Sequence, residues 1–297
     1  MIVLMNQFVV YLALVLIGAC LGSFAGATVW RLRAKQLAYD KEHKEPYDKK
    51  EYSRLKKLLG KKTSEDRSQC LECGYALKWY DLIPIVSWLT LKGKCRNCKH
   101  PIGWFEPLME VGMVAFFVLS YIFWPGGIQS GLEIVHFALW LVAGVAMAIL
   151  FAYDAKWFLL PDSAVIALAI AGLAMVGVIA AENQSIAGTL LNAIGAIAVL
   201  GGLYGVLYAV SGGRWVGFGD VKLGFALGLL LGDWKLAAVA LFLANFIGCL
   251  IVIPPLLTKK LKPGSHIPFG PLLIAGAVLA WFIGGFIVNW YLGIIGI

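Results

Sequence analysis

Apolar residues run in long, nearly unbroken blocks along this 297-residue chain, and the block lengths predict its elements. Positions 6–30 carry no Lys, Arg, Asp or Glu. A helix needs about 20 such residues to cross a bilayer. Further blocks follow at 107–124, 132–153, 163–181, 186–210, 223–232, 235–256 and 272–293. Turn-forming residues part them: Pro125-Gly126-Gly127, Glu182-Asn183-Gln184, Ser211-Gly212-Gly213 and the stretch from Lys259 to Gly264. The pattern predicts eight membrane helices. The one at 223–232 is short, so it is tilted or re-entrant before Asp233. Between 31 and 106 the blocks vanish. There Tyr52, Leu55, Leu58 and Leu59 recur at helical spacing among Lys and Arg. That stripe predicts a helix that is either solvated or laid on a membrane or partner, with Gly60 as its stop.

Composition agrees. The chain is 60% hydrophobic and 14% charged, where globular proteins carry about 25% charged residues. The reading is an all-α polytopic membrane protein with one small polar domain. Its parts are a first transmembrane helix (1–30), a cytoplasmic domain (31–106) and a seven-helix membrane domain (107–297). Charge sets the orientation. Residues 31–67 hold 13 Lys and Arg against 7 Asp and Glu. Basic residues also sit at Lys156, Arg214, Lys222, Lys259, Lys260 and Lys262, all on one side of an eight-span alternation. The positive-inside rule makes that side cytoplasmic and the N-terminus external. No basic residue precedes Arg31, so 6–30 is not read as a signal peptide, nor Leu16–Cys20 as a lipoprotein cleavage site. Basic charge beside membrane helices fits anionic lipid, and no nucleic-acid partner is expected.

Four of the six cysteines form two C-x2-C pairs, Cys70/Cys73 and Cys95/Cys98, with 21 residues between them. Four thiolates from two such knuckles suit a closed tetrahedral zinc site, and so a zinc-ribbon-like domain. Redox chemistry is the competing use. Cys20 and Cys249 lie in apolar blocks and read as small buried hydrophobes.

An ionisable side chain at the mouth of a membrane helix needs a task or a partner. Asp154, Asp162 and Asp220 all fall on the cytoplasmic side of the topology. Asp162 follows Pro161 and opens a helix, as an N-cap does. Asp154 closes one, where a carboxylate is unfavourable, so capping explains it poorly. Asp220 ends Gly217-Phe218-Gly219, whose glycines admit a tight turn or a close substrate. Two adjacent carboxylates in a low dielectric share a proton, and such a pair activates water and polarises a carbonyl as in an aspartic protease. The alternative is an ion-coupled transporter with acids on its path.

These residues resemble the prepilin peptidases, or type IV leader peptidases, membrane aspartyl proteases with a G-x-G-D signature. Gly217–Lys222 is similar to G-x-G-D-x-K, and Asp154 to Asp162 resembles D-x6-P-D. Gly22-Ser23-Phe24 with Arg31-Leu32 resembles the first-helix segment. Pro84–Trp88, Gly93–Cys98, Pro107 and Glu110 resemble the cytoplasmic signature, and Pro268-Phe269-Gly270-Pro271 the C-terminal P-F-G-P. The resemblance implies cleavage of the leader of type IV prepilins or pseudopilins at the cytoplasmic face of a bacterial inner membrane, with pilus or secretion assembly proteins as further partners. It also implies N-methylation with S-adenosylmethionine. By it Asp154 and Asp220 are the catalytic pair, and Cys70, Cys73, Cys95 and Cys98 hold zinc. Gly217, Gly219, Lys222, Pro268 and Gly270 are expected to border the substrate, and Glu110 and Arg96 to position groups for methylation or to pair with each other. The chain departs from the family in a charged stretch from Ala34 to about Gln69, in Leu71-Glu72 within the first knuckle, and in Ala25-Gly26.

Overall fold

A computed structural model describes residues 2–59, 67–183, 185–259 and 267–295. Gly60, Gln184 and the turn residues from Lys260 to Gly264 fall outside them. The chain divides into two compact units, Met1–Leu119 and Ser120–Ile297. The described residues form helices, and the only β pairing among them is two isolated bridges. Among the described residues, seven helices are long and apolar enough to cross a membrane.

In the first unit α1 (Ile2–Glu42) packs against α4 (Phe105–Ile122). Gly18, Gly22 and Gly26 recur every four residues on α1 and so lie on one face. A Cβ on Gly22 would stand 2.6 Å from the Glu110 Cα, and one on Gly18 would stand 3.1 Å from the Met113 carbonyl. Small residues at this spacing let membrane helices touch backbone to backbone. Trp30 closes the pair, its indole donating to Glu106 at 3.0 Å and its ring edge-on to Phe105.

Past Trp30, α1 continues through the polar sequence to Glu42. The chain then turns and returns as α2 (Lys49–Leu55), capped by Asp48, and a 3-10 turn, Lys56–Leu58. Ala34, Leu37 and Leu55 form a small buried core, covered by Trp30, Tyr47, Tyr52, Leu58, Leu59 and Leu71. The apolar stripe of the inserted segment therefore packs on α1, not on a membrane surface or partner. Arg33 pairs with Glu51 at 2.7 Å, and Arg54 reaches Glu72 in the first knuckle at 2.8 Å. Beyond the knuckle, a 3-10 segment (Trp79–Leu82) and α3 (Val86–Thr90) lead to the second cysteine pair.

The second unit holds α5 (Gly131–Trp157) and α6 (Asp162–Asn183), then α7 (Ile186–Ile197) and α8 (Leu203–Ser211) joined by a π turn, Ala198–Gly202. Next come α9 (Phe218–Leu231), α10 (Trp234–Leu257) and α11 (Gly270–Ile295). These match the sequence-predicted blocks closely. The sixth block is short as its ten residues predict: α9 has 14 residues and makes a rod of about 21 Å, against the ~30 Å hydrocarbon core, so of the eight predicted spans it is the one that is not long enough to cross. Gly232, in a left-handed conformation, ends it. Three glycines draw α9 tight. A Cβ on Gly224 would lie 2.7 Å from the Leu200 carbonyl, one on Gly228 2.8 Å from the Ile197 Cα, and one on Gly172 of α6 2.8 Å from the Leu230 amide.

Candidate active site

Asp154 sits on the last turn of α5 and is 5% exposed. Phe158, in a left-handed conformation, ends the helix by donating its amide to the Asp154 carbonyl at 2.9 Å. A carboxylate at this helix end opposes the dipole of its own helix. The structure compensates with another one. Gly270 opens α11, and its amide donates to Asp154 Oδ2 at 3.0 Å. Gly270 and Pro271 form the first turn of α11, where a proline loses no helical hydrogen bond.

Asp220 lies in the first turn of α9, three residues past the N-cap Gly217. The Gly217 amide donates to its carboxylate, as the third residue of a capping box reaches back. The helix starts at Phe218, five residues before the apolar block 223–232, so both glycines of the motif belong to its first turn or cap. Asp154 and Asp220 lie 66 positions apart in the sequence, on α5 and α9, and they are close enough to interact electrostatically. Leu160 fills the space between the glycines of the two motifs. A Cβ at Gly219 would stand 3.2 Å from its Cδ1, and one at Gly270 3.4 Å from its Cδ2.

The Lys222 ammonium pairs with Asp162 at the start of α6 and lies over the Phe218 ring. Asp162 is the first helical residue, not the cap, and its carboxylate serves this pair. Tyr204 escaped the sequence reading. It is buried, edge-on to Phe269 at 5.4 Å, and within electrostatic reach of Asp220. The Asn245 amide meets its hydroxyl at 3.5 Å. Nothing in the spacing of polar residues marks Tyr204, because the π turn before it resets the helical phase.

The cysteine knuckles are two copies of one turn. Cys70 and Cys95 donate their amides to Tyr75 and His100, both at 2.9 Å, and the fourth residue after each is left-handed: Gly74 in one, Lys99 in the other. The four sulfurs lie within 4.8 Å of one another, Cys70 and Cys98 at 3.9 Å. Four sulfurs around one Zn²⁺ at ~2.3 Å would sit ~3.8 Å apart, so the cluster fits a tetrahedral ion. Burial pushes the Cys70 thiol up to about 12, while the Tyr75 amide brings Cys73 down to about 6. A divalent cation is what lets all four be thiolates together. Cys20 and Cys249, expected to be buried, are exposed on their helices.

Glu110 and Arg96 do not pair with each other. Arg96 binds Asp81 at 2.7 Å and covers the Tyr80 ring. Buried Glu110 accepts the Ile85 amide at 2.7 Å and the Ser23 hydroxyl.

Residues 16–124 match the family described as bacterial peptidase A24 N-terminal domain, and residues 141–253 match the type IV leader peptidase family. A prepilin leader peptidase/N-methyltransferase of Bacillus subtilis is 31% identical over 226 residues, 76% of this chain and 85% of its own. Proteins of the same name from Burkholderia pseudomallei and Aeromonas hydrophila are 32% and 31% identical. They align over 73% and 76% of this chain, and over 67% and 74% of theirs. No solved structure matches.

Proposed function

The chain belongs to the type IV leader peptidase family, and on that premise we propose that it is a multi-pass inner-membrane aspartyl endopeptidase that removes prepilin or pseudopilin leaders and N-methylates the product. The observation that carries this is the meeting of Asp154 and Asp220, from α5 and α9, against the start of α11. The relatives named above are peptidases and methyltransferases, and they lend the transporter reading no support.

The chemistry follows from the pair. Two carboxylates in electrostatic contact hold one proton between them. The ionised one takes a proton from water as that water attacks the scissile carbonyl. The protonated one donates to the carbonyl oxygen, and the leaving amine then recovers a proton as the tetrahedral intermediate collapses. The Gly270 amide keeps Asp154 aimed, and the Gly217 amide does the same for Asp220. A peptide backbone would lie beside Asp220 over Gly217, with Gly219 packed on Leu160, and Pro268 and Gly270 would border it just before and at the start of α11. Lys222, held by Asp162, orients α9 and meets substrate only by leaving that partner.

Cys70, Cys73, Cys95 and Cys98 would hold a structural zinc that fixes both knuckles, and it takes no part in peptide cleavage. Methylation draws on S-adenosylmethionine as co-substrate. The charge pattern supports an external N-terminus with the knuckles and both aspartates on the cytoplasmic side. The test is co-expression with a prepilin. Asp154→Asn and Asp220→Asn should each lower cleavage by at least about 10²-fold in chains that still insert and purify. Cleavage retained by either variant removes the paired-acid mechanism. Mass spectrometry of the processed pilin reads methylation, and an unmodified N-terminus with methyl donor present rules it out.

A further inference from the structure

The 21 residues between the cysteine pairs carry a feature that neither the metal nor the peptidase uses. Trp79, Leu82, Ile83, Val86 and Leu89 are exposed along the Trp79–Leu82 turn and α3, Trp79 at 76% and Leu89 at 60%. Trp104, 67% exposed, lies against α3 through Trp88, ring centroids 4.6 Å apart. Soluble surfaces seldom show such a patch without a partner.

The depth of the patch identifies the partner. The Ile85 amide is bound by Glu110 at 2.7 Å. Glu110 is five residues inside α4, about 7.5 Å along the axis from Phe105, where that candidate span begins. Ser23, which also meets Glu110, lies a full seven positions inside α1 from Trp30. Both helices thus place Ile85 below the level at which they leave the apolar block. Interfacial helices bury their apolar face about 5–10 Å into the headgroup and acyl boundary, and the Ile85 level falls in that range.

The backbone is built for such a place. A segment entering lipid must satisfy its own amides. The Ser87, Leu89 and Gly93 amides bond the carbonyls of Ile83, Ile85 and Trp88 at 3.1, 3.0 and 2.8 Å. Ile85, whose own turn leaves its amide unpaired, is the one supplied by Glu110. It is held there with φ of 62° and ψ of −50°, at the centre of a three-residue turn closed by the Val86 amide on the Pro84 carbonyl at 2.6 Å, a strained conformation that a β-branched residue adopts only under constraint. Lys78, Lys92 and Lys94 flank the apolar stretch, placed for anionic headgroups.

We propose that residues 79–89 and Trp104 form a wedge seated in the headgroup layer of the membrane beside α1 and α4, pinned by Glu110 and Ser23. The wedge accounts for the long spacing between the knuckles: the connection descends into the bilayer surface and climbs back.

The experiment places p-benzoylphenylalanine singly at Trp79, Leu89 and Trp104 of the full chain, irradiates native membranes, and reads adducts by intact mass. Phe286, 76% exposed on α11, is the lipid-facing reference, and Glu45, in the α1–α2 connection, the aqueous one. Each variant is first shown to cleave a prepilin. The expected result is a phospholipid-mass adduct at the three wedge positions, as at Phe286, and none at Glu45. Adducts to prepilin or to a second copy of this chain, or unmodified chain at Leu89 and Trp104 while Phe286 reacts, overturn the proposal.

Discussion

Replacing Gly270 by alanine puts a single methyl where the structure leaves no room for it. The new Cβ would stand 2.7 Å from Asp154 Oδ2 and 3.2 Å from its Cγ, where ordinary contact begins at 3.4 Å. The carboxylate or the first turn of α11 must therefore yield by about 0.7 Å. Catalytic groups tolerate about 0.5 Å of displacement, and about 1 Å costs ~10²-fold. Cleavage by Gly270→Ala is expected to fall about 10- to 10²-fold, which is ~1.4–2.7 kcal/mol of transition-state stabilisation. Folding should not suffer in parallel, because alanine in a first helical turn reduces the freedom of the unfolded chain by about 0.4–1 kcal/mol. The assay is the initial rate of prepilin cleavage by purified enzyme in detergent, with Gly248→Ala as comparison. A Cβ there meets only the Leu272 Cδ1, at 3.1 Å, a methyl that can rotate away. Wild-type cleavage by Gly270→Ala, with Asp154→Asn inactive, refutes the positioning role of this contact. An equal loss in Gly248→Ala assigns the effect to helix packing instead.

The Lys222–Asp162 pair is partly exposed, at 32% and 69% for the two side chains, so it is worth at most about 1 kcal/mol. Lys222→Met should lower cleavage by no more than about fivefold, and Asp162→Lys with Lys222→Asp should recover most of it; complete loss in Lys222→Met alone would assign the lysine to substrate. Elemental analysis should find about one zinc per chain, and Cys95→Ser, at the buried corner of the cluster, should abolish it; full zinc content in that variant refutes the four-sulfur site. Gly22→Ala forces a Cβ against the Glu110 Cα and Met109 carbonyl, backbone atoms that cannot rotate aside. Overpacking of this kind costs about 1–3 kcal/mol, read as a lowered unfolding midpoint in detergent, and an unchanged midpoint contradicts the α1–α4 seam.

Local signals in the sequence carried well into the structure. Block lengths gave the spans, and the shortness of 223–232 was visible because ten apolar residues cannot reach across a bilayer. Helix-end electrostatics set Asp154 apart from Asp162, since the direction of a helix dipole is known once its ends are, but Asp162 is the first helical residue and not the cap, and its carboxylate is taken by Lys222. What stayed hidden were partners. The spacing of Tyr52, Leu55 and Leu58 defines an apolar face but not what covers it, and the cover is the end of α1, around Ala34 and Leu37, on which the chain folds back. Lys222 and Asp162 lie 60 positions apart, and Glu110 and Ile85 25. No periodicity connects such pairs. Tyr204 follows a π turn that breaks the very period by which a buried face is read.

The three glycine contacts on α9 also say which parts of the molecule are free to move. Gly224 and Gly228 seat α9 on the backbone of the α7–α8 segment, and Gly172 seats α6 on α9 from another side. A helix gripped through main-chain atoms has no side chains to swing, so it cannot part from either neighbour by rotamer changes. A transmembrane substrate needs a seam that opens laterally. The seams along α6–α9 and α7–α9 are welded shut, which makes the helix bearing Asp220 the fixed jaw of the enzyme and leaves the opening to other elements.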